Sequence, residues 1–205
     1  MRPYPLLIVV AILLSPALTG CGSSPTRLFV LSADTAKSDP PATAGTAIGV
    51  GPISLPKYLD HPQIVTGTAT NSLNQAEFDQ WGGELNDNIT RVLATNLANL
   101  LGTDRVWLYP WDVGIPVEYQ VTANVMNFEQ RADGTVVLDV FWTLVNARDG
   151  RLLLMRRGIY RQSGAAPVTG TSDAGAYNAV AAAMSRDLAA FSRDVADAIQ
   201  HQRVS

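Results

Sequence analysis

The sequence predicts an α+β domain, an antiparallel or mixed β-sheet with two helices packed on one face. Three observations lead there. Residues 83–101 and 173–200 carry apolar side chains at helical spacing, the mark of amphipathic helices. Short runs rich in valine, leucine and aromatics precede the first of these stretches and fill the interval between them. Asp133-Gly134 and Asp149-Gly150 punctuate that interval, and Asp-Gly flanked by apolar runs is a hairpin signal. One sheet with its helices on a single face satisfies the order strands, helix, strands, helix.

The elements follow in order. Met1-Arg2 is a short basic start, and residues 6–14 (LLIVVAILL) are an unbroken apolar run ended by Gly20, Gly22 and Ser23. A membrane-spanning helix needs about 20 apolar residues, so this run reads as a secretory signal. Leu18-Thr19-Gly20-Cys21 resembles the lipobox of bacterial lipoproteins. That resemblance implies cleavage between Gly20 and Cys21 and an N-acyl diacylglyceryl lipid, palmitate among its chains, on Cys21. Cys21 is the only cysteine, which excludes an intramolecular disulfide in an exported chain. Gly22 rather than aspartate follows it, which by resemblance to enteric sorting rules favours the outer membrane. The expected organisation is a signal peptide at 1–20, a lipidated tether at 21–26 and one periplasmic domain at 27–205.

Residues 27–31 read as a strand and 32–46, with Pro40-Pro41 and Gly45, as a loop. Residues 48–55 alternate as a strand, in which Pro52 suggests an edge or an end. Lys57-Tyr58-Leu59 is a turn, residues 63–66 a short strand, and residues 70–81 pair through Ser72-Leu73 before turning toward Trp81. The first helix carries Leu85, Ile89, Val92, Leu93, Leu97, Leu100 and Leu101 on one stripe. Glu84 and Asp87 suit its positive end, and Gly102 its C-cap. Residues 106–109 form a short strand that stops at Pro110. Val117 to Val125 alternate in one phase and Met126 and Phe128 in the other, as a β-bulge produces. Residues 136–145 and 152–160 complete a meander, with Arg156 and Arg157 on opposite faces, and 162–172 is a loop. The last helix has a stripe of Tyr177, Val180, Met184, Leu188, Phe191, Val195 and Ile199. Arg186, Asp187, Arg193, Asp194 and Asp197 are expected mainly away from it.

Composition narrows the chemistry. The net charge is −3 and only 16% of residues are charged, with no basic block. Nucleic-acid binding and a polybasic membrane patch therefore lack support. His61 and His201 are the only histidines, no His/Cys cluster has metal spacing, and no G-x-S-x-G elbow occurs. Gly45, Gly49 and Gly51 lack the following Lys-Ser/Thr of a phosphate loop. Asn88-Ile89-Thr90 is a chance sequon inside a helix. Trp81, Trp107, Trp111 and Trp142 read as core residues. No catalytic residue, metal or cofactor is expected, so the chain reads as a non-enzyme.

Residues 49–65, GVGPISLPKYLDHPQIV, are more specific. Val50, Gly51, Pro52, Leu55, Pro56, Tyr58, Leu59, Asp60, Pro62, Gln63, Ile64 and Val65 follow the V-G-P-x-x-L-P-x-Y-L-D-R-P-Q-I-V pattern. His61 stands where that pattern has arginine. Asn71, Leu73, Glu77, Phe78, Trp81 and Leu85 follow a second segment, with Gly82-Gly83 delaying the helix. Over roughly residues 27–200 the chain resembles the PqiC/YmbA family of ABC-type transport auxiliary lipoproteins. The resemblance implies an outer-membrane accessory of an MCE-type intermembrane lipid transport system that acts by docking. Its implied partners are an MCE-domain protein and an inner-membrane transporter component, with room for a ring-like homo-oligomer and no nucleic acid. Prolines stiffen a loop and lower the ordering cost of binding, so Pro52, Leu55, Pro56, Tyr58, Leu59 and Asp60 are candidate contact residues. The competing reading has Tyr58 and Leu59 merely covering the sheet edge. At the level of function, the alternative is an envelope lipoprotein that regulates or scaffolds peptidoglycan enzymes or outer-membrane assembly factors. A direct check concerns the anchor: Cys21→Ser is expected to abolish incorporation of labelled palmitate, and labelling equal to wild type would remove the lipobox reading.

Overall fold

The computed structural model describes residues 25–34, 45–163, 166–168 and 174–204. The expected signal segment, Gly20 and Cys21, most of the expected loop at 32–46 and part of the one at 162–172 lie outside the described residues.

The fold is the expected α+β one, an eight-stranded mixed sheet with both helices on one face. The strands are β1 (Arg27–Phe29), β2 (Ile48–Ser54), β3 (Gln63–Ala69), β4 (Ser72–Trp81), β5 (Val106–Leu108), β6 (Tyr119–Gln130), β7 (Val136–Asn146) and β8 (Leu152–Gln162). The helices are α1 (Leu85–Leu101) and α2 (Ala174–Val204), and a single 3-10 turn spans Lys57–Leu59. β6, β7 and β8 form the antiparallel meander. Its two turns use Gly134 and Gly150 at positive φ, with Asp133 and Asp149 accepting the N–H two residues on.

β6 organises the rest. One edge pairs with β7 along its whole length. The other edge is divided: β2 runs parallel to its first half, and β3 meets it in parallel at Gln130. Beyond β2 lies β5, and beyond β3 lie β4 and then β1. The sheet therefore forks, and residues 55–62 carry the chain from one arm to the other. The phase switch at Met126 is a bulge, with Val125 opposite Val140 and Asn127 opposite Asp139. β4 is a ten-residue strand rather than a short pairing followed by a turn. Its register slips between Gln75 and Gln80, so its buried positions lose the period-two alternation that reveals a strand.

The core lies between the sheet and the helices. Val136, Leu138, Val140, Trp142 and Leu144 of β7 alternate toward the helices and are buried, as successive strand residues must. All seven residues of the α2 stripe are buried beneath it, with Trp142 edge-on to Phe191 at 5.9 Å. α1 ends as expected, with Gly102 in the left-handed conformation at φ 60°. The helices are joined by a satisfied polar contact. Asn96 donates to the Ser192 hydroxyl at 3.1 Å and accepts from the Asp34 N–H at 2.8 Å. β1 is fixed to β4 by a two-pronged ion pair, both Arg27–Asp79 contacts at 2.6 Å, with the carboxylate buried.

Asp187 departs from expectation. The helical period places it off the apolar stripe, yet it is fully buried where α2 crosses the meander, and its carboxylate oxygens accept no hydrogen bond of normal geometry. Burial pushes its pKa up to about 7, with Gln162, Arg186 and the Leu138 backbone offsetting only part of the effect. The folded chain thus holds this proton more tightly than the unfolded chain does. Stability from this group is complete below the ordinary aspartate pKa and is lost as pH rises toward 7. Asp187→Asn is expected to raise stability at pH 8 by roughly 2–4 kcal/mol and to leave it nearly unchanged at pH 4. Urea melts at the two pH values check this, and an equal effect at both would exclude the buried-carboxylate account.

Candidate functional site

The candidate site is the bridge between the two arms of the fork. β2 gains one residue on β6 between Val50 and Ile53, a bulge at Gly51-Pro52. Gly51 sits at φ +112°, and a Cβ there would lie 2.8 Å from the Tyr109 Cβ, so both conformation and space require glycine. Pro52 is exposed within the bulge, beyond the last residue that β2 pairs with β5. Thus β2 is an interior strand between β5 and β6, and the bulge rather than a sheet edge tolerates the missing N–H. Side chains supply what the ladder lacks. Gln120 donates to the Gly51 carbonyl at 2.8 Å, and Asn86, in the first turn of α1, donates to the Ile53 carbonyl at 2.9 Å.

The 3-10 turn then lays Tyr58 across β6. Its hydroxyl donates to Glu129 Oε2 at 2.7 Å, and the same oxygen accepts the Phe128 N–H at 3.0 Å. Glu129 is only 8% exposed. Burial raises its pKa, while the bonds from Tyr58 and Phe128 and the nearby Arg131 pull the other way. Leu59 is buried at 3% exposure and belongs to the core. It is a packing residue of the core, not an outward contact. Leu55 and Pro56 are half-buried, with Leu55 packed against the core. Pro52, Lys57, Asp60, His61 and Pro62 face solvent. The six candidate residues therefore divide: Leu59 and Tyr58 fasten the bridge from within, Leu55 and Pro56 line its flank, and Pro52 and Asp60 are presented outward.

Beside the bridge a cleft of about 840 Å³ opens at the fork, lined by Val30, Pro52, Gly82, Glu84, Asp87 and Tyr109 among others. Glu84 and Asp87 are exposed there. Among the described residues, no group of three His, Cys, Asp or Glu side chains is placed to hold a metal, and no helix is long and apolar enough to cross a membrane. Glu129, Gln120 and Asn86 escaped the sequence reading. The one available signal was an acid next to Phe128, out of phase with Met126 and Phe128 in β6.

An α+β domain that presents a fastened, outward-facing loop is the class these features define. The chain belongs to the ABC-type transport auxiliary lipoprotein component family, whose model matches residues 29–196. No curated protein sequence matches it. Among solved structures it is similar to an uncharacterized protein, at 18% identity and TM-score 0.65 over 86% of this chain and 99% of that one. It is also similar to a Xanthomonas campestris protein, at 15% identity and TM-score 0.68 over 87% of this chain and 100% of that one. Those likenesses establish the fold.

The Tyr58–Glu129 contact has a measurable weight. Tyr58→Phe leaves a buried carboxylate short of one donor and is expected to cost about 1–3 kcal/mol at neutral pH. The loss shrinks in acid, where Glu129 is neutral. Coincident urea melts of variant and wild type at neutral pH would show that the contact fastens nothing.

Proposed function

We propose that this chain is an outer-membrane-anchored accessory of an MCE-type intermembrane lipid transport system that works by docking, not catalysis. The docking element in this reading is the outward side of residues 52–62, and the contact partner is an MCE-domain protein linked to an inner-membrane transporter component. The observation that carries the reading is the family membership joined to the geometry of its central motif. Residues 50–65 are built into a bridge whose buried side is fastened at Tyr58, Leu59 and the Gly51 bulge, while Pro52, Lys57, Asp60 and His61 stay exposed. A loop held in one conformation loses little entropy on binding. Lipid on Cys21 would hold the domain at the membrane, since one chain alone anchors weakly and a multiply acylated cysteine supplies more.

The test follows from the split between inner and outer residues. Tyr58→Ala or Leu59→Ala confounds contact with folding, because truncating a buried leucine costs roughly 2–5 kcal/mol by itself. Lys57→Glu with Asp60→Arg alters only exposed charges. The full-length lipidated protein, captured in mild detergent, is expected to bring down an MCE-domain protein. The double variant is expected to weaken that capture at least tenfold, about 1.4 kcal/mol, with its melting temperature unchanged. Recovery of peptidoglycan synthases or outer-membrane assembly factors in its place would overturn the assignment.

A further inference from the structure

We infer that β8 is a second docking edge, one that takes an extended segment of a partner protein, apolar and acidic in alternation, as an added strand. This inference is independent of the loop reading. It starts from the edges of the sheet. The other two outer strands, β1 and β5, are three residues long, as befits edges that must not recruit stray strands. β8 runs for eleven residues without proline and, among the described strands, pairs only with β7. Its far edge therefore carries a row of backbone donors and acceptors with no strand against it.

The side chains beside that edge select the occupant. Partners in an antiparallel ladder share a face. Met155 and Ile159 lie opposite Thr143 and Asp139, on the face away from the helices. Leu152, Met155 and Ile159 are 53%, 65% and 41% exposed, and Phe141 on β7 is 41% exposed. One strand further in, the same face turns polar, with Thr122 bonded to Thr143 and Asn124 to Ser54. The apolar strip is thus one strand pair wide and follows the edge. It suits an added strand better than a bilayer plane, which would also have to cover the polar centre of the face.

Charge sets the chemistry of that strand. β8 bears Arg156, Arg157 and Arg161 and no acid. Arginines often guard an edge, but Arg157 is turned back over β7. It donates twice to Asp139, at 2.9 and 2.6 Å, and lies 5.3 Å from the Phe141 ring centre. Arg156 is exposed on the face opposite to Met155 and Ile159 and complements carboxylates that alternate with the apolar side chains of an incoming segment, while Arg161, opposite Val137, shares the apolar face. The template is also held in shape from the helix side. Tyr160 donates to Asp194 of α2 at 2.6 Å, and its ring folds over Gly158, where a Cβ would lie 2.5 Å from the hydroxyl. A preformed edge lowers the ordering cost of strand addition, in which main-chain bonds supply affinity and alternate side chains supply selectivity.

Hydrogen exchange on the full-length lipidated protein in detergent tests this. The probe is a peptide as long as β8 that alternates valine with glutamate, and the control replaces glutamate with lysine. The glutamate peptide is expected to slow exchange of β8 amides at least tenfold, and the lysine peptide to leave them unchanged. Arg156→Glu should reverse that preference, and Met155→Asp should weaken it, with α1 amides reporting an intact fold in each variant. The inference is overturned if the glutamate peptide leaves β8 unprotected, or if both peptides protect equally. It is also overturned if β8 protection rises with protein concentration alone, which would assign the edge to a second copy. Protection only by phosphatidylglycerol vesicles would assign the strip to a membrane and overturn it as well.

Discussion

The structure depends on the divided edge of β6. A strand has two edges and can satisfy one neighbour along each. β6 gives one to β7 without interruption and splits the other between β2 and β3. Both arms of the fork and the bridge between them follow from that division. The chain must leave β6 after Ser54, cross its outer face and return to it at Thr66. Backbone groups that lose their ladder partners on the way still need hydrogen bonds. Gln120 and Asn86 provide two of them from outside the bridge, so the arm, the bridge and the start of α1 hold one conformation together.

Polar groups inside the fold are handled in three ways. Asn96 and Ser192 meet between the helices with their hydrogen bonds made, which fixes how α1 lies against α2 and offsets the cost of taking both groups out of water. Glu129 is buried but receives two donors on one oxygen, so its charge is tolerated and holds Tyr58 in place. Asp187 is buried with neither, and the protein accommodates it by raising its proton affinity. The three cases order the interior from fully matched to only partly compensated, in step with the rule that an unmade bond costs more than a made one contributes.

Much of this was legible in the sequence. The α2 stripe from Tyr177 to Ile199, the Gly102 cap, both Asp-Gly turns and the bulge at Met126 are local signals, each set by residues within a few positions. β4 was not legible, because its register slip past β3 breaks the alternation from which a strand is read. Asp187 was misplaced for a related reason. Helical periodicity identifies the centre of a buried stripe, but the width of the stripe depends on what packs against it, and the long meander beneath α2 extends burial past the apolar residues. The bridge was recognised from its residues, while the roles within it depend on partners such as Glu129, some seventy positions away, for which a single sequence carries no distance information. The edge character of β8 likewise belongs to topology, not to its own composition.

Arg27 opens the first described strand and grips Asp79 with two charge-assisted bonds. Tension drawn through the preceding chain enters the domain at this point. β1 contributes only three residues of backbone pairing, too little by itself to resist being stripped from the sheet. The ion pair sits at the loaded end of the strand and is stressed before the ladder behind it. It also anchors into β4, whose hairpin with β3 reaches β6. A pull entering there would thus be shared by β1, β4 and β3 before it reached β6.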